Sequence, residues 1–151
     1  MKNNNNKGFS LVELLVVVII IAIIAAIAIP NLLASRRAAN DASAVSSLRT
    51  IHSAEVTYYA NSGNTTYGSM TDIKNSSLID SALGGGQKSG FNFAIATGAG
   101  IYCGSGVPIT AGSTGNKNYG VSTDGVIYQN ISGASACASG VLTTTGASPI
   151  Q

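Results

Sequence analysis

The sequence is poor in the residue types on which catalysis and metal binding depend. Its 151 residues include one histidine, two cysteines, no tryptophan and six acidic residues. Charged residues make up 9% of the chain, whereas they make up about 25% of a typical globular protein. Few side chains are therefore available as acids, bases, nucleophiles or metal ligands. We expect a protein that is not an enzyme and that needs no cofactor.

Basic charge is also scarce. The chain has 8 lysines and arginines against 6 acidic residues, which gives a formal net charge of +2. Proteins that bind the phosphate backbone of nucleic acids neutralise several phosphates at once with clustered basic side chains. Charges that are so few and so balanced predict no broad nucleic-acid-binding surface.

Glycine is missing from a long stretch near the amino terminus, between Gly8 and Gly63, although the chain has 18 glycines. Within residues 9–62 only Pro30 is a strong helix breaker. The later sequence is rich in Gly, Ser, Thr and Asn, as turns and short strands require. This distribution predicts an α+β fold in which a long amino-terminal helix packs on a small antiparallel β-sheet head.

A long apolar run fills the first part of this helix. All residues from 14 to 29 are apolar, and a helix over residues 9–29 would be about 31 Å long, enough to cross a bilayer core of about 30 Å. Lys2 and Lys7 precede the run without an acidic residue between them. The positive-inside rule therefore predicts a cytoplasmic amino terminus and a head outside the cytoplasm.

Two routes of processing are open for such a run. An ordinary signal peptidase would cut after Ala28, at the end of a small-residue site, and release residues 29–151 as a secreted soluble binding domain. Against this route, the run is long for a signal peptide, has a carboxylate at Glu13, and continues directly into a second helical pattern.

The other route follows from the sequence KGFSLVELL at residues 7–15. It resembles the type IV pilin and pseudopilin family, in which a hydrophilic leader ends in Gly and is followed by Phe and a hydrophobic helix with Glu at its fifth position. A proline at the end of the apolar run, here Pro30, continues the similarity. The resemblance implies that a prepilin peptidase cuts between Gly8 and Phe9 and methylates the new amino group of Phe9.

The same resemblance divides the chain into four parts. Residues 1–8 would be the cleaved leader, 9–30 the hydrophobic transmembrane and assembly helix, 31–62 an amphipathic helix, and 63–151 the β-rich head.

Two residues of the helix are candidates for roles in assembly. A carboxylate in a membrane helix costs a few kcal/mol and is by default a functional candidate, and the amine of Phe9 would be the cation nearest to Glu13. The family resemblance implies that Glu13 attracts the amine of the subunit at the filament base. Pro30 removes one helical hydrogen bond, so we expect a kink or a locally unwound stretch just before it.

The amphipathic part has apolar and hydroxylated side chains on opposite arcs of the helix. His52 lies in the apolar arc and is predicted to be a partly buried packing residue, while Arg37 and Asp41 are spaced to pair on one face. The hydroxylated arc favours close approach of another helix. The arc expected to face the sheet is Ala38, Ala42, Val45, Leu48, Val56 and Tyr59, and the opposite arc is Ser43, Ser46, Ser47, Thr50, Ser53 and Thr57.

The head is predicted to contain a short helix and three or four antiparallel strands. The helix is expected around residues 70–83, followed by strands at 91–96 and 101–109, the second interrupted by glycines. Asp124-Gly125 predicts a hairpin between two further strands at residues 119–122 and 126–129.

Cys103 and Cys137 form an even pair in the part of the chain predicted to lie outside the cytoplasm. We predict a disulfide that closes the loop 103–137, and such a loop is also common in type IV pilins. Two free buried cysteines are the alternative.

The resemblance implies a structural subunit of a type IV pilus that polymerises with copies of itself. Its partners would be the prepilin peptidase, the pilus assembly machinery and the inner membrane that holds the precursor, and the assembled pilus would be extracellular. The alternative within the family is a pseudopilin of a type II secretion system. No motif indicates whether such a filament would serve twitching motility, adhesion or DNA uptake.

Overall fold

The computed structural model describes residues 8–150. The leader up to residue 7, with the orienting Lys2 and Lys7, therefore lies outside the described residues. The chain divides into two compact units, the first ending at Ser35 and the second beginning at Arg36.

Helix α1 is the longest element and runs from Leu11 to Asn61. No glycine occurs within it, and its helical hydrogen bonding is assigned without a break through Pro30. The local unwinding expected before Pro30 is therefore not seen in this single chain. Proline removes one N–H donor, and the apolar helix-forming residues around it keep the neighbouring bonds.

The second unit is an α+β head, as predicted. Five strands follow one another in chain order across a six-stranded antiparallel sheet, and the carboxy-terminal strand completes it, in the order β1-β2-β3-β4-β5-β8. A separate hairpin is formed by β6 and β7. The elements after α1 are α2 (Met70–Asn75), α3 (Ser81–Gly84), β1 (Gln87–Lys88), β2 (Phe91–Gly98), β3 (Ile101–Pro108), β4 (Tyr119–Ser122), β5 (Ile127–Gln129), a 3₁₀ turn (Ala134–Ala136), β6 (Cys137–Ala138), β7 (Val141–Leu142) and β8 (Ser148–Ile150).

The core of the head lies between the sheet and the second half of α1. Glycines on β3 let helix and sheet side chains lie directly against the strand backbone: a Cβ on Gly104 would be 2.9 Å from Val121 Cγ1, and one on Gly106 would be 3.0 Å from Phe93 Cε1. The main buried residues of this core are Ala44, Leu48, Ile51, Ala54, Phe91, Phe93, Tyr102, Tyr119 and Val121.

The predicted apolar arc of α1 was right only in part: Leu48 is buried, but the arc as a whole pointed in the wrong direction. Ala38, Ala42 and Val56 are exposed, whereas Ser47 and Glu55 are buried. The buried face is rotated from the predicted arc by about 100°, one residue step of the helix. Polar side chains replace apolar ones at two buried positions, and this shifted the hydrophobic pattern away from the true contact face.

The head also differs from the prediction in three elements. The helix expected over 70–83 is two short helices, because Ser77 has a φ of 56° and Asp80 caps the second one. Strand β3 is continuous over Ile101–Pro108 despite its glycines. The sheet has six strands and not three or four, since β1 and β8 have only 2 and 3 residues.

The hairpin and the disulfide are confirmed. Strands β4 and β5 pair antiparallel around Asp124-Gly125, and Gly125 has a φ of 80°. The Cys103–Cys137 disulfide joins β3 of the large sheet to β6 of the small hairpin, with 5.6 Å between the Cα atoms. The alternative of two free cysteines is therefore wrong.

Candidate processing and assembly site

The amino terminus of α1 is capped by Ser10 and Glu13 in the manner of a capping box. The Glu13 carboxylate accepts a hydrogen bond from the backbone N–H of Ser10 (2.9 Å), and the Ser10 hydroxyl accepts one from the N–H of Val12 (3.3 Å). This reciprocal pair satisfies donors that a helix start leaves unpaired. The sequence S-x-x-E at residues 10–13 is typical of such a cap, although Ser10 was not among the predicted site residues.

The predicted cleavage point lies just before this cap. Gly8 and Phe9 are exposed, Phe9 by 84%, and both precede the first helical residue, Leu11. Phe9 and Glu13 line the same shallow groove on the helix surface. The structure therefore brings together three of the predicted residues, whereas Pro30 lies about 25 Å further along the helix and the cysteines belong to the head.

The surface around this site is apolar on every side. Each large apolar residue from Phe9 to Leu33 is exposed, from 48% at Val16 to 84% at Phe9. Within the part of the chain that the structure describes, α1 is the helix that is long and apolar enough to cross a membrane, with a mean hydropathy of 3.3 in its most apolar window. By length and composition it suits a lipid environment or a surrounding of similar helices.

The second half of α1 has a contrasting exposed face of small residues. The Thr50 hydroxyl donates to the Ser46 carbonyl (3.1 Å), and the Thr57 hydroxyl donates to the Ser53 carbonyl (2.8 Å). Because these hydroxyls are paired within the helix, the face can approach another surface closely without a large loss of hydration. Its exposed residues are Ala38, Ala39, Ala42, Ser46, Arg49, Thr50, Ser53, Val56, Thr57 and Ala60.

Three polar side chains of α1 hold the loop 109–118, which connects β3 to β4. Arg37 Nη1 donates to the Gly112 carbonyl (2.7 Å), and Asn40 Nδ2 donates to the Thr114 carbonyl (2.8 Å). Asp41 Oδ1 accepts from the Asn116 N–H (3.2 Å). Arg37 and Asp41 therefore bind loop backbone, and no ion pair joins them in the described residues.

Removal of one of these contacts should loosen the loop. We expect Asp41→Ala to lower the free energy of unfolding by about 1 kcal/mol, the typical worth of one hydrogen bond, and to speed hydrogen exchange at the Asn116 amide. Denaturant unfolding and amide exchange would measure both.

Arg36→Ala is the matched control, because Arg36 is exposed on the same helix and should change stability by less than about 0.5 kcal/mol. Equal losses in the two variants, or an unchanged Asn116 amide in Asp41→Ala, would show that the contact does not hold the loop.

Comparison with known proteins supports an assignment for the amino terminus. Residues 3–29 match the family model described as the prokaryotic N-terminal methylation motif. The chain is also 57% identical over 37 residues to the type IV wide pilus major component PilA4 of Thermus thermophilus. That match covers 24% of this chain and 28% of the relative. No solved structure matches the chain.

These two matches support a type IV pilin or prepilin amino terminus. The chain is therefore similar to a type IV pilin over its amino-terminal part, and its amino-terminal helix is by length and composition capable of crossing a membrane. The two matches are compatible with both a pilus subunit and a pseudopilin.

Proposed function

We propose that the chain is the precursor of a structural subunit of a type IV pilus. The observation that carries this proposal is the exposed apolar surface of α1 next to the Gly8–Phe9 junction and Glu13. Such a surface requires lipid before assembly and other subunits afterwards, since water would not stabilise it. The precursor is then held in the inner membrane with its head outside the cytoplasm.

Cleavage between Gly8 and Phe9 by a prepilin peptidase, with methylation of Phe9, would change the charge at this site. It removes Lys2 and Lys7, so 8 − 2 = 6 basic side chains remain against 6 acidic ones. It also creates a terminal amine one helical turn before Glu13. The carboxylate, which accepts a hydrogen bond from the backbone N–H of Ser10, would then have a cation to neutralise it.

In the filament we assign Glu13 to the amine of the subunit already in place. An ion pair between the two would remove the cost of a carboxylate in an apolar surrounding and would fix the axial position of the incoming subunit. The small exposed face of α1 supports close packing of helices below the heads. The product would be a homopolymer, added to by the pilus assembly machinery.

The head supports a pilus over a secretion pseudopilin. Major secretion pseudopilins typically have an acidic calcium-binding loop in the head. In this chain residues 89–151 contain only Lys117 and Asp124 as charged residues, so one carboxylate is available there. The Asp124 carboxylate is already used in the hairpin, where it accepts from the Ser122 hydroxyl and the Val126 N–H.

Electron microscopy of the cell surface tests this proposal. Wild-type cells should carry long filaments that a deletion strain lacks and that a plasmid copy of the gene restores. If the filaments are identical in both strains, the pilus role is wrong. Secretion defects in the deletion strain without loss of filaments would assign the chain to the pseudopilins.

A further inference from the structure

Glu55 is a buried carboxylate that neither the processing site nor the assembly surface uses. It lies in the last turns of α1 and is 0% exposed. Its Oε2 accepts a hydrogen bond from the backbone N–H of Gly68 (2.9 Å), while its Oε1 has no hydrogen-bond partner among the described residues. A fully buried acid with one unpaired oxygen costs free energy in its ionised form, because nothing replaces the water that it has lost.

The segment that Glu55 holds is the turn at residues 62–69, which joins α1 to α2. Most of its residues are exposed, and its own hydrogen bonds are local: the Ser62 hydroxyl lies within hydrogen-bond distance of the carbonyl oxygens of Tyr59 (2.8 Å) and Thr66 (3.0 Å). Exposed segments with local bonds open at low free energy. Contacts of this turn with the body of the head include the hydrogen bond of Gly68 to Glu55, the close approach of Gly68 to the ring of Tyr58, and the ring of Tyr67.

Tyr67 is held between two other tyrosines. Its ring centroid lies 4.5 Å from that of Tyr59 and 4.8 Å from that of Tyr102. Tyr67 and Gly68 are neighbours in the chain. The aromatic stack holds the first of them and the Glu55 carboxylate holds the second. Loss of the Glu55 contact would leave the Gly68 N–H without its buried acceptor and weaken the attachment of the turn.

Burial and the neighbouring charge of Asp72 both oppose the ionisation of Glu55. Burial is the largest cause and raises the pKa of Glu55 to about 7, while the Gly68 N–H lowers it and the charge of Asp72 on α2 raises it further. Hydrogen bonds from Ser69 lower the pKa of Asp72, so Asp72 is charged throughout the range in which Glu55 titrates. The other titratable groups that face Glu55 are two tyrosines and one histidine, and the histidine is hydrogen-bonded to one of these tyrosines.

These other groups come from three elements. Tyr67 belongs to the turn and Tyr102 to β3, and burial raises the pKa of both phenols. His52 lies one helical turn before Glu55, and its Nδ1 is 2.5 Å from the Tyr102 hydroxyl oxygen. Both phenols are therefore neutral at neutral pH, and none of these groups supplies a fixed positive charge to compensate an ionised Glu55.

We propose that Glu55 is a protonation-controlled latch for the turn at residues 62–69. Neutral Glu55 stays in the core and holds Gly68, and ionised Glu55 drives the turn to open so that the carboxylate reaches water. The latch is a property of the head and does not depend on the proposed pilus role.

The direction of the pH effect follows from the two states. In the closed turn the pKa of Glu55 is raised to about 7 from an ordinary value of 4.5, whereas in the open turn the solvated carboxyl has its ordinary pKa. The stabilisation of the closed turn is complete below about pH 4.5 and is lost as the pH rises through about 7. Between pH 5 and pH 8 the ratio of open to closed turns should rise by about 70-fold.

Hydrogen exchange of the full chain in detergent micelles tests the latch. The protection factor of the Gly68 amide, corrected for the intrinsic effect of pH, should fall by about 70-fold from pH 5 to pH 8. In Glu55→Gln, which cannot titrate, it should be constant. Amides in the centre of β2 and β3 report global unfolding and should keep their protection over this range.

A wild-type protection factor at Gly68 that does not change with pH, or the same change in Glu55→Gln, would overturn the latch. A parallel loss in β2 and β3 would also overturn it, since the whole head would then respond. If Glu55→Gln does not fold, carbon-13 NMR of the wild-type Glu55 carboxyl decides the matter: titration near 7 supports the latch, and titration near 4.5 contradicts it.

Discussion

Replacement of both Cys103 and Cys137 by serine is expected to lower the free energy of unfolding of the head by about 4 kcal/mol. The cysteines are separated by 34 positions, and a cross-link that closes a loop of this size removes about that much chain entropy from the unfolded state. Small heads of this kind have total stabilities of about 5–15 kcal/mol, so the loss is a large fraction of the whole.

The surroundings of the disulfide explain why other contacts will not compensate. Hairpin β6–β7 has only two residues in each strand. Its backbone lies directly against the backbone of β2, since a Cβ on Gly98 would be 2.3 Å from the Ser139 carbonyl oxygen. Such a surface has little apolar area to bury.

Denaturant unfolding of the full chain in detergent measures the effect. Reduction of the wild-type protein should reproduce it, and both single-cysteine variants should match the double variant under reducing conditions. A difference below about 1 kcal/mol between oxidised wild type and the double variant would mean that the loop is held by packing and not by the bond.

The second large effect is expected at Glu13. Glu13→Ala should abolish filaments, because the incoming subunit would lose the carboxylate that we assign to the amine of its neighbour. The precursor should still enter the membrane and be cleaved, since Gly8 and Phe9 lie outside the helix. Electron microscopy and the yield of sheared surface protein would measure assembly, and the size of the membrane-bound subunit would report cleavage.

The capping box makes Glu13→Gln a matched control. Glutamine also accepts the hydrogen bond from the Ser10 N–H, which glutamate does at 2.9 Å, and glutamine is accepted at this position of a capping box. It therefore keeps the helix start and removes only the charge. Loss of filaments in both variants assigns the role to the charge, whereas normal filaments from Glu13→Gln would assign it to the cap and contradict the proposed ion pair.

Some of this molecule could be predicted because its signals are local. The apolar run and KGFSLVELL specify a long helix and its family resemblance over consecutive residues. Asp124-Gly125 specifies a hairpin because only certain residues adopt a positive φ easily. The disulfide followed from the predicted location of the head, and the structure confirms it.

The rest depends on partners distant in sequence. The buried face of α1 includes Glu55, which no hydrophobic pattern would place in a core; it is there because the turn supplies the Gly68 N–H. Strands β1 and β8 are too short to have a periodicity of their own and exist only beside β2 and β5. The contacts of Arg37 and Asp41 with the loop 109–118 likewise join residues about 75 positions apart.

The central claim, that the chain is a processed subunit of a surface filament, is tested most directly by the amino terminus of the protein in sheared surface material. Mass spectrometry and amino-terminal sequencing should find a chain that begins with a methylated Phe9 and extends through the head. A chain that begins at Ile29 would show release by an ordinary signal peptidase and would contradict the account.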